Sequence, residues 1–294
     1  NTKTIWNYLS SRKKETVLAP LFKMLEACFE LFIPLLVADI IDTGIGTGDI
    51  KYIISRGIIM IIFGVLGFIL AVIAQYFAAK CAIGVSSELR RDMYYHISSL
   101  HYANLDDVGT SSLVTGMTSD INQVQNGVNW ALRLFLRSPF IVLGAAIMAS
   151  TISPLASVVF WITIGILVLV IVLVMKASIP RNAVVQKQLE KVTRSFKENL
   201  TGVRVVRAFN SQSSEKAAFD EAHTELYDRQ LRVGRISSLM NPLTFSIINT
   251  AVIVLLWTGA VKVNIGGLTQ GQIIALLNYM SQILVELIKF ANIT

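Results

Sequence analysis

Between Arg137 and Lys176 the chain runs through 38 residues without one charged side chain. About 20 helical residues cross the ~30 Å hydrocarbon core of a bilayer, so this stretch is long enough for two crossings. Ser150-Thr151-Ile152-Ser153-Pro154 divides it, reading as a turn followed by a Ser cap and a Pro at the first position of a new helix. Three further uncharged runs hold 23 residues (Arg56 to Lys80), 26 (Arg235 to Lys262) and 23 (Lys262 to Glu286). Asn264-Ile265-Gly266-Gly267 is a turn signal between the last two. Five spans follow. The composition agrees: 53% of the 294 residues are hydrophobic and 15% charged, against about 25% charged in an ordinary soluble domain. That hydrophobicity excludes a disordered chain. Two cysteines do not make a disulfide scaffold. A soluble enzyme would have too few polar residues to cover its surface.

A sixth span is expected over 15–45, although Lys23, Glu26, Glu30, Asp39 and Asp42 lower its hydropathy. Those residues are expected to face a helix bundle, and Thr43 to Gly48 reads as a loop. Six spans put both termini on one side. Only Lys51, Arg56 and Lys262, of 26 basic residues, fall near the opposite loops, so the termini are expected to be cytoplasmic.

The segments joining the inner ends are too long to be loops. Leu89, Met93, Ile97 and Leu100 recur at helical spacing in the first, and Leu189, Val192, Phe196, Leu200 and Val203 in the second. Helices running straight out of the membrane are expected. One over 52–100 would be ~70 Å long, more than twice the hydrocarbon thickness. The expectation is an all-α membrane protein with spans near 15–45, 52–100, 110–150, 154–207, 219–262 and 269–294, and tips near 102–109 and 209–217. Residues 176–235 carry 12 basic and 7 acidic residues, +5 of the net +7. Pro34, Pro139, Pro180 and Pro242 are expected inside helices, where each permits a kink.

Glu198-Asn199-Leu200-Thr201-Gly202-Val203-Arg204-Val205-Val206-Arg207-Ala208-Phe209, continuing through Glu215, Phe219 and Ala222, resembles the second intracellular loop of ABC exporters. Leu89-Arg90-Arg91-Asp92, Asp106-Asp107-Val108-Gly109 and Asp120 resemble the first. Pro34 and Ile40 to Ile45 look like the end of that family's first span. Ser111 to Thr115 with Asp120, Gln123, Gln125 and Asn126 resemble one half of the heterodimeric bacterial multidrug exporters. Gly116 departs from the family, which usually has an Arg before the Asp120 region.

The resemblance covers nearly the whole chain and implies a six-helix exporter transmembrane domain in the plasma membrane. It implies a second transmembrane half as partner, identical or not, and alternating access driven by nucleotide-binding domains. An elbow helix and lead-in would occupy 1–14. Coupling helix 1 would comprise Ala103, Asn104, Leu105, Asp106 and Asp107, and coupling helix 2 Phe209, Asn210, Ser211, Gln212, Ser213 and Ser214. No Gly-x-x-x-x-Gly-Lys-Ser/Thr loop occurs in the sequence. ATP and Mg are therefore expected in a nucleotide-binding domain outside these residues. Because the sixth helix is still running at Thr294, that domain is expected to follow it. A regulatory or channel-like membrane subunit on the same scaffold is the alternative.

Glu26 and Glu30 lie one turn apart within the first span, and ionisable groups at membrane depth are costly and mark pathways. They could attract a cationic substrate; the plainer reading pairs them with Lys23 or Arg137. Asn249, Asn278 and Gln282 complete a candidate pathway for a small hydrophobic or amphipathic substrate, with interhelical hydrogen bonding as the plainer reading. Trp130, Phe135, Phe140, Trp161, Phe245 and Trp257 could stack on drugs, but suit packing or interfacial anchoring better. His96, His101 and His223 lack metal-ligand spacing, and Cys28 and Cys81 lie in separate spans. Basic residues interleaved with acidic ones suit topology and docking surfaces, not nucleic acid.

Overall fold

The computed structural model describes residues 2–101, 105 and 109–292. Among them there is no strand. The helices are α1 (Thr2–Ser11), α2 (Lys13–Asp39), α3 (Ile50–Ser99), α4 (Thr110–Thr115), α5 (Ile121–Trp130), α6 (Arg137–Ile152), α7 (Pro154–Thr201), α8 (Val203–Ala208), α9 (Gln212–Ser238), α10 (Met240–Asn264) and α11 (Gln270–Asn292). π-helical turns extend α2 over Ile40–Ile45, join α4 to α5 over Gly116–Asp120, and follow α5 over Ala131–Phe135. Among the described residues, five helical runs are long and apolar enough to cross a membrane: Ile50–Ser99, Thr110–Ile152, Pro154–Thr201, Gln212–Asn264 and Gln270–Lys289. The charged α2 does not reach that standard. With 50 residues, α3 is about 75 Å long.

The turns follow local chemistry. Asp49 caps α3, its Oδ1 accepting from the Lys51 and Tyr52 amides at 3.0 and 3.2 Å. Pro154 begins α7, with Ser153 Oγ facing the Ala156 amide at 3.5 Å. Thr269 and Gln272 form a reciprocal capping box at α11: each amide meets the other's side-chain oxygen, at 3.1 and 3.3 Å.

One expectation is corrected here. Thr43 to Gly48 is not a loop: helix continues through Thr47, and only Gly48 (φ +71°) and Asp49 leave it. Gly44 serves close packing, since a Cβ there would lie 2.6 Å from an Ile53 side-chain carbon. Pro139 and Pro242 lie inside the continuous runs Thr110–Ile152 and Gln212–Asn264, each three residues after a one-residue irregularity, at Leu136 and Leu239, that keeps helical dihedrals. Pro20, Pro34 and Pro180 also lie inside helices.

The chain divides into two compact units. The first comprises Asn1–Trp161 and Ala251–Ile293, and packs α2 against α3 and α6, and α11 against α2 and α6. Its contacts are built on small residues. Ala19, Ala27, Ala78, Cys81, Ala82, Ala145, Ala146 and Ala149 are buried. A Cβ on Gly144 would stand 2.4 Å from a Leu31 methyl. Small residues of this kind let membrane helices approach until backbones and side chains interlock. Tyr279 is fully buried and donates from its hydroxyl to the Leu31 carbonyl at 2.6 Å, tying α11 to α2. Opposite this core, Ile54, Ile58, Ile61, Val65, Phe68, Ile69 and Val72 of α3 are exposed, an apolar face suited to lipid. Trp130, Phe135, Trp161 and Trp257 are exposed too. α1 and the Arg12 that follows it are strapped to α3: Tyr8 Oη donates to Asp92 at 2.8 Å, and Arg12 pairs with Glu88 at 2.8 Å. Donating to that carboxylate holds the Tyr8 phenol above its ordinary pKa.

The second unit, Ile162–Thr250, is a helical hairpin built from most of α7, α8, α9 and the start of α10. Val185 and Val192 of α7 meet Leu226 and Val233 of α9, with Phe219 and Ala222 packed on them. The seven-residue spacings 185–192 and 219–226–233 are those of a coiled-coil seam. Of the apolar stripe expected over 189–203, Val192 is buried in this seam, and Phe196 and Val203 line a groove with Phe219 of α9 at its edge. Leu189 and Leu200 are exposed.

Candidate functional site

Charged groups from three helices of the first unit converge at one level. Arg137 opens α6, and its side chain is only 8% exposed. Its NH1 donates to Glu286 of α11 and its NH2 to Glu30 of α2, each at 2.6 Å. Glu26 stands 4.0 Å from the same guanidinium and is bonded by Lys23 at 2.5 Å. Glu286 also accepts from Ser138 Oγ at 2.9 Å and from Lys289 at 3.0 Å. The cluster holds three carboxylates and three cations, so its net charge is zero. Balance is what a poorly solvated site requires, because an unpaired ion at such depth costs several kcal/mol.

The depth follows from helix geometry. Glu30 lies 15 residues from Ile45, Arg137 15 from Ile152, and Glu286 16 from Gln270. At 1.5 Å per residue, all three sit about 22–24 Å from those helix ends. Three separate stretches of sequence thus place charge at one height.

A cavity of about 600 Å³ opens beside the cluster. Glu30, Arg137, Glu286 and Lys289 line its charged part, Ile33, Pro34, Val37 and Ile141 its apolar part, and Asn278, Ser281 and Gln282 of α11 a polar wall. Arg137 Nε and Gln282 Oε1, a buried donor and a buried acceptor in this lining, have no hydrogen-bond partner among the described residues. The volume is in the range of small-molecule sites.

Of the five candidate pathway residues, Glu30, Asn278 and Gln282 line this cavity. Glu26 is buried behind it in the ion-pair network, and Asn249 lies exposed on α10 in the second unit. The pairing of the two glutamates with Lys23 and Arg137 is the plainer of the two readings of that motif. Glu286, Lys289, Ser138 and Ser281 were not singled out from sequence. The available signal was the four-residue spacing of Asn278, Gln282 and Glu286, which puts polar groups on one face of an apolar helix.

At the tips, Ala103, Asn104, Asp106 and Asp107 lie outside the described residues. Leu105 is helical, its amide donating to the His101 carbonyl at 3.2 Å. Phe209 to Ser214 do not form a helix of their own: Phe209–Ser211 are a turn, and Gln212–Ser214 open α9. The turn is a Schellman ending of α8. Asn210, in the left-handed region at φ +52°, donates to Arg207, and Ser211 donates back to Val206. It leaves Phe209 78% exposed.

Residues 16–287 match the family described as the ABC transporter transmembrane region. The chain is 28% identical over 266 residues to the uncharacterized ABC transporter ATP-binding protein YfiB of Bacillus subtilis, covering 90% of this chain and 46% of that protein. It is 25% identical over 231 residues to the ATP-dependent lipid A-core flippase of Pseudoalteromonas translucida, covering 78% and 39%. To the flippase of the same name from Salmonella typhimurium it is 23% identical over 291 residues, covering 98% and 50%. The chain thus spans about half the length of the curated relatives it matches.

Proposed function

Because the chain belongs to the ABC transporter transmembrane family, we propose that it forms the membrane half of an ATP-driven exporter. In this reading α2 is a sixth span beside the five apolar runs, both termini are cytoplasmic, and the protein resides in the plasma membrane. A second transmembrane half, identical or related, completes the pathway. Nucleotide-binding domains supply ATP and Mg chemistry and dock at the tips near 102–109 and 209–217. Alternating access then carries a hydrophobic or amphipathic substrate out of the cytoplasm or inner leaflet.

The cavity at Arg137 is the observation that carries this reading. It joins an apolar wall to a charged end at one membrane depth, which is the polarity of an amphiphile. The two relatives named as lipid A-core flippases support a lipid-like substrate class. The long helices support the coupling. At about 75 Å, α3 exceeds the hydrocarbon core by more than twofold and makes a rigid lever to the cytoplasmic side. A docked domain that moves the tip must also move the membrane end.

The test is flux in sealed vesicles containing the intact protein. Uphill, ATP-dependent movement of an amphiphile supports the exporter. Passive movement down a gradient, indifferent to ATP, replaces it with the channel-like alternative.

A further inference from the structure

We infer that the Arg137 cavity receives the zwitterionic headgroup of a net-neutral amphiphile, with its cationic end at Glu30 and its anionic end at Lys289. This rests on the exporter reading and specifies the substrate class of the same cavity.

Two side chains of the cluster are only partly committed. Glu30 is 42% exposed; one carboxylate oxygen accepts from Arg137, and the other makes no hydrogen bond among the described residues. Lys289 is 45% exposed; its ammonium has three donors and spends one on Glu286. The cavity therefore presents an acceptor of negative charge and a donor of positive charge together. Arg137 and Glu286, 8% and 4% exposed, are buried in their mutual pair and hold those two side chains in place.

Net charge decides which headgroup fits. The six ionisable groups sum to zero, so the site has no surplus to offset the desolvation of a singly charged headgroup. A purely anionic headgroup meets Lys289 but also Glu30, and a purely cationic one meets Glu30 but also Lys289. A zwitterion satisfies both and adds no net charge. The unpaired Arg137 Nε and Gln282 Oε1 in the same lining leave one donor and one acceptor for a polar group, or for water it brings.

The apolar wall sets the direction of the tail. Ile33, Pro34 and Val37 follow Glu30 by three, four and seven residues, and Ile141 follows Arg137 by four. All four lie about 4–11 Å along their helices from the charges, on the side toward Ile45 and Ile152. A tail laid there runs away from the charged end, as an acyl chain runs from its headgroup.

Binding of three tail-matched probes to the intact protein, in nanodiscs and without ATP, tests this: dioctanoyl phosphatidylcholine, dioctanoyl phosphatidylglycerol and a dioctanoyl trimethylammonium-propane. The zwitterion is expected to bind about tenfold more tightly than either charged probe, the worth of one added ionic contact: hydrogen-bonded from Lys289 to the phosphate, and purely electrostatic from Glu30 to the trimethylammonium group, which has no N–H. Glu30→Gln should weaken the zwitterion about tenfold and favour the anionic probe. Lys289→Gln should weaken it similarly and favour the cationic probe. Opposite shifts in the two variants cannot come from general unfolding, and Lys289→Arg should retain zwitterion binding. Equal affinity for all three probes, or no change of preference in either variant, overturns the inference. Either of those results together with ATP-driven export leaves the exporter reading standing. The expected preferences without any ATP-driven flux support the site and overturn that reading.

Discussion

Arg137→Met is the most informative single perturbation of this chain. Methionine keeps the length and apolar bulk of the stem and removes the guanidinium. Two 2.6 Å ion pairs are lost, to a Glu286 side chain that is 4% exposed and a Glu30 side chain that is 42% exposed. Glu30 is open enough to be solvated. Glu286 is not, and keeps only Ser138 and the half-exposed Lys289. Removing one partner of a buried pair costs about 3–5 kcal/mol, and these remaining contacts place the cost near 3. At about 2–4 °C per kcal/mol, the unfolding midpoint should fall by roughly 6–12 °C. The assay is thermal unfolding of the intact protein in nanodiscs of one fixed lipid composition. Lys289→Met, which removes a half-exposed partner, should cost less than about 1 kcal/mol. Adding Glu286→Gln to Arg137→Met should recover about 1.5 kcal/mol, because it removes the orphaned charge. A midpoint within about 2 °C of the parent protein, or no recovery in the double variant, would refute the account of Arg137 as the centre of a desolvated network.

Other outcomes follow from single contacts. Gly271→Ala sets a Cβ 2.3 Å from the Ala38 carbonyl oxygen, which is backbone and cannot step aside; it should destabilise by about 1–3 kcal/mol. Tyr279→Phe removes the 2.6 Å bond to Leu31 and should cost about 1–1.5 kcal/mol in the same assay. Asn210→Gly should be neutral or slightly stabilising, whereas Asn210→Val, a β-branched residue at φ +52°, should cost about 1–2 kcal/mol. Phe209→Asp should leave folding and ATP turnover intact while lowering transport at least about fivefold; unchanged coupling would count against the tip near 209–217 as a docking point.

Uncharged runs and turn residues made most of the fold legible. Pro154 after a serine, Asp49 ahead of α3 and Thr269 three residues before Gln272 are local signals, and each acts locally in the structure. Legibility fell where one pattern admits two structures. The glycines of 44–48 look like a loop, but Gly44 makes room for Ile53 and the helix runs on. The stripe at 189–203 has helical period, but the buried part of the seam against α9 takes 185 and 192, with Phe196 and Val203 at its edge.

The candidate site divides in the same way. Glu26 and Glu30 were conspicuous because charge within an apolar stretch is expensive, and that expense made a partner necessary. Sequence could not choose between Lys23, Arg137 and a substrate. Glu286 and Lys289, at the edge of an uncharged run, resembled an ordinary span boundary, and nothing local brings them to the depth of Arg137.

By itself, the sequence determined that the chain is helical and spans a membrane, the turns at Ser153 and 264–267 and which family it resembles, because hydropathy, capping and turn preferences act over a few residues. Only the tertiary structure decided which helix faces meet and which ions pair. Arg137, Glu30 and Glu286 lie more than 100 residues apart in sequence, and whether each is a lone charge or part of a neutral cluster depends on the packing of three helices at one height.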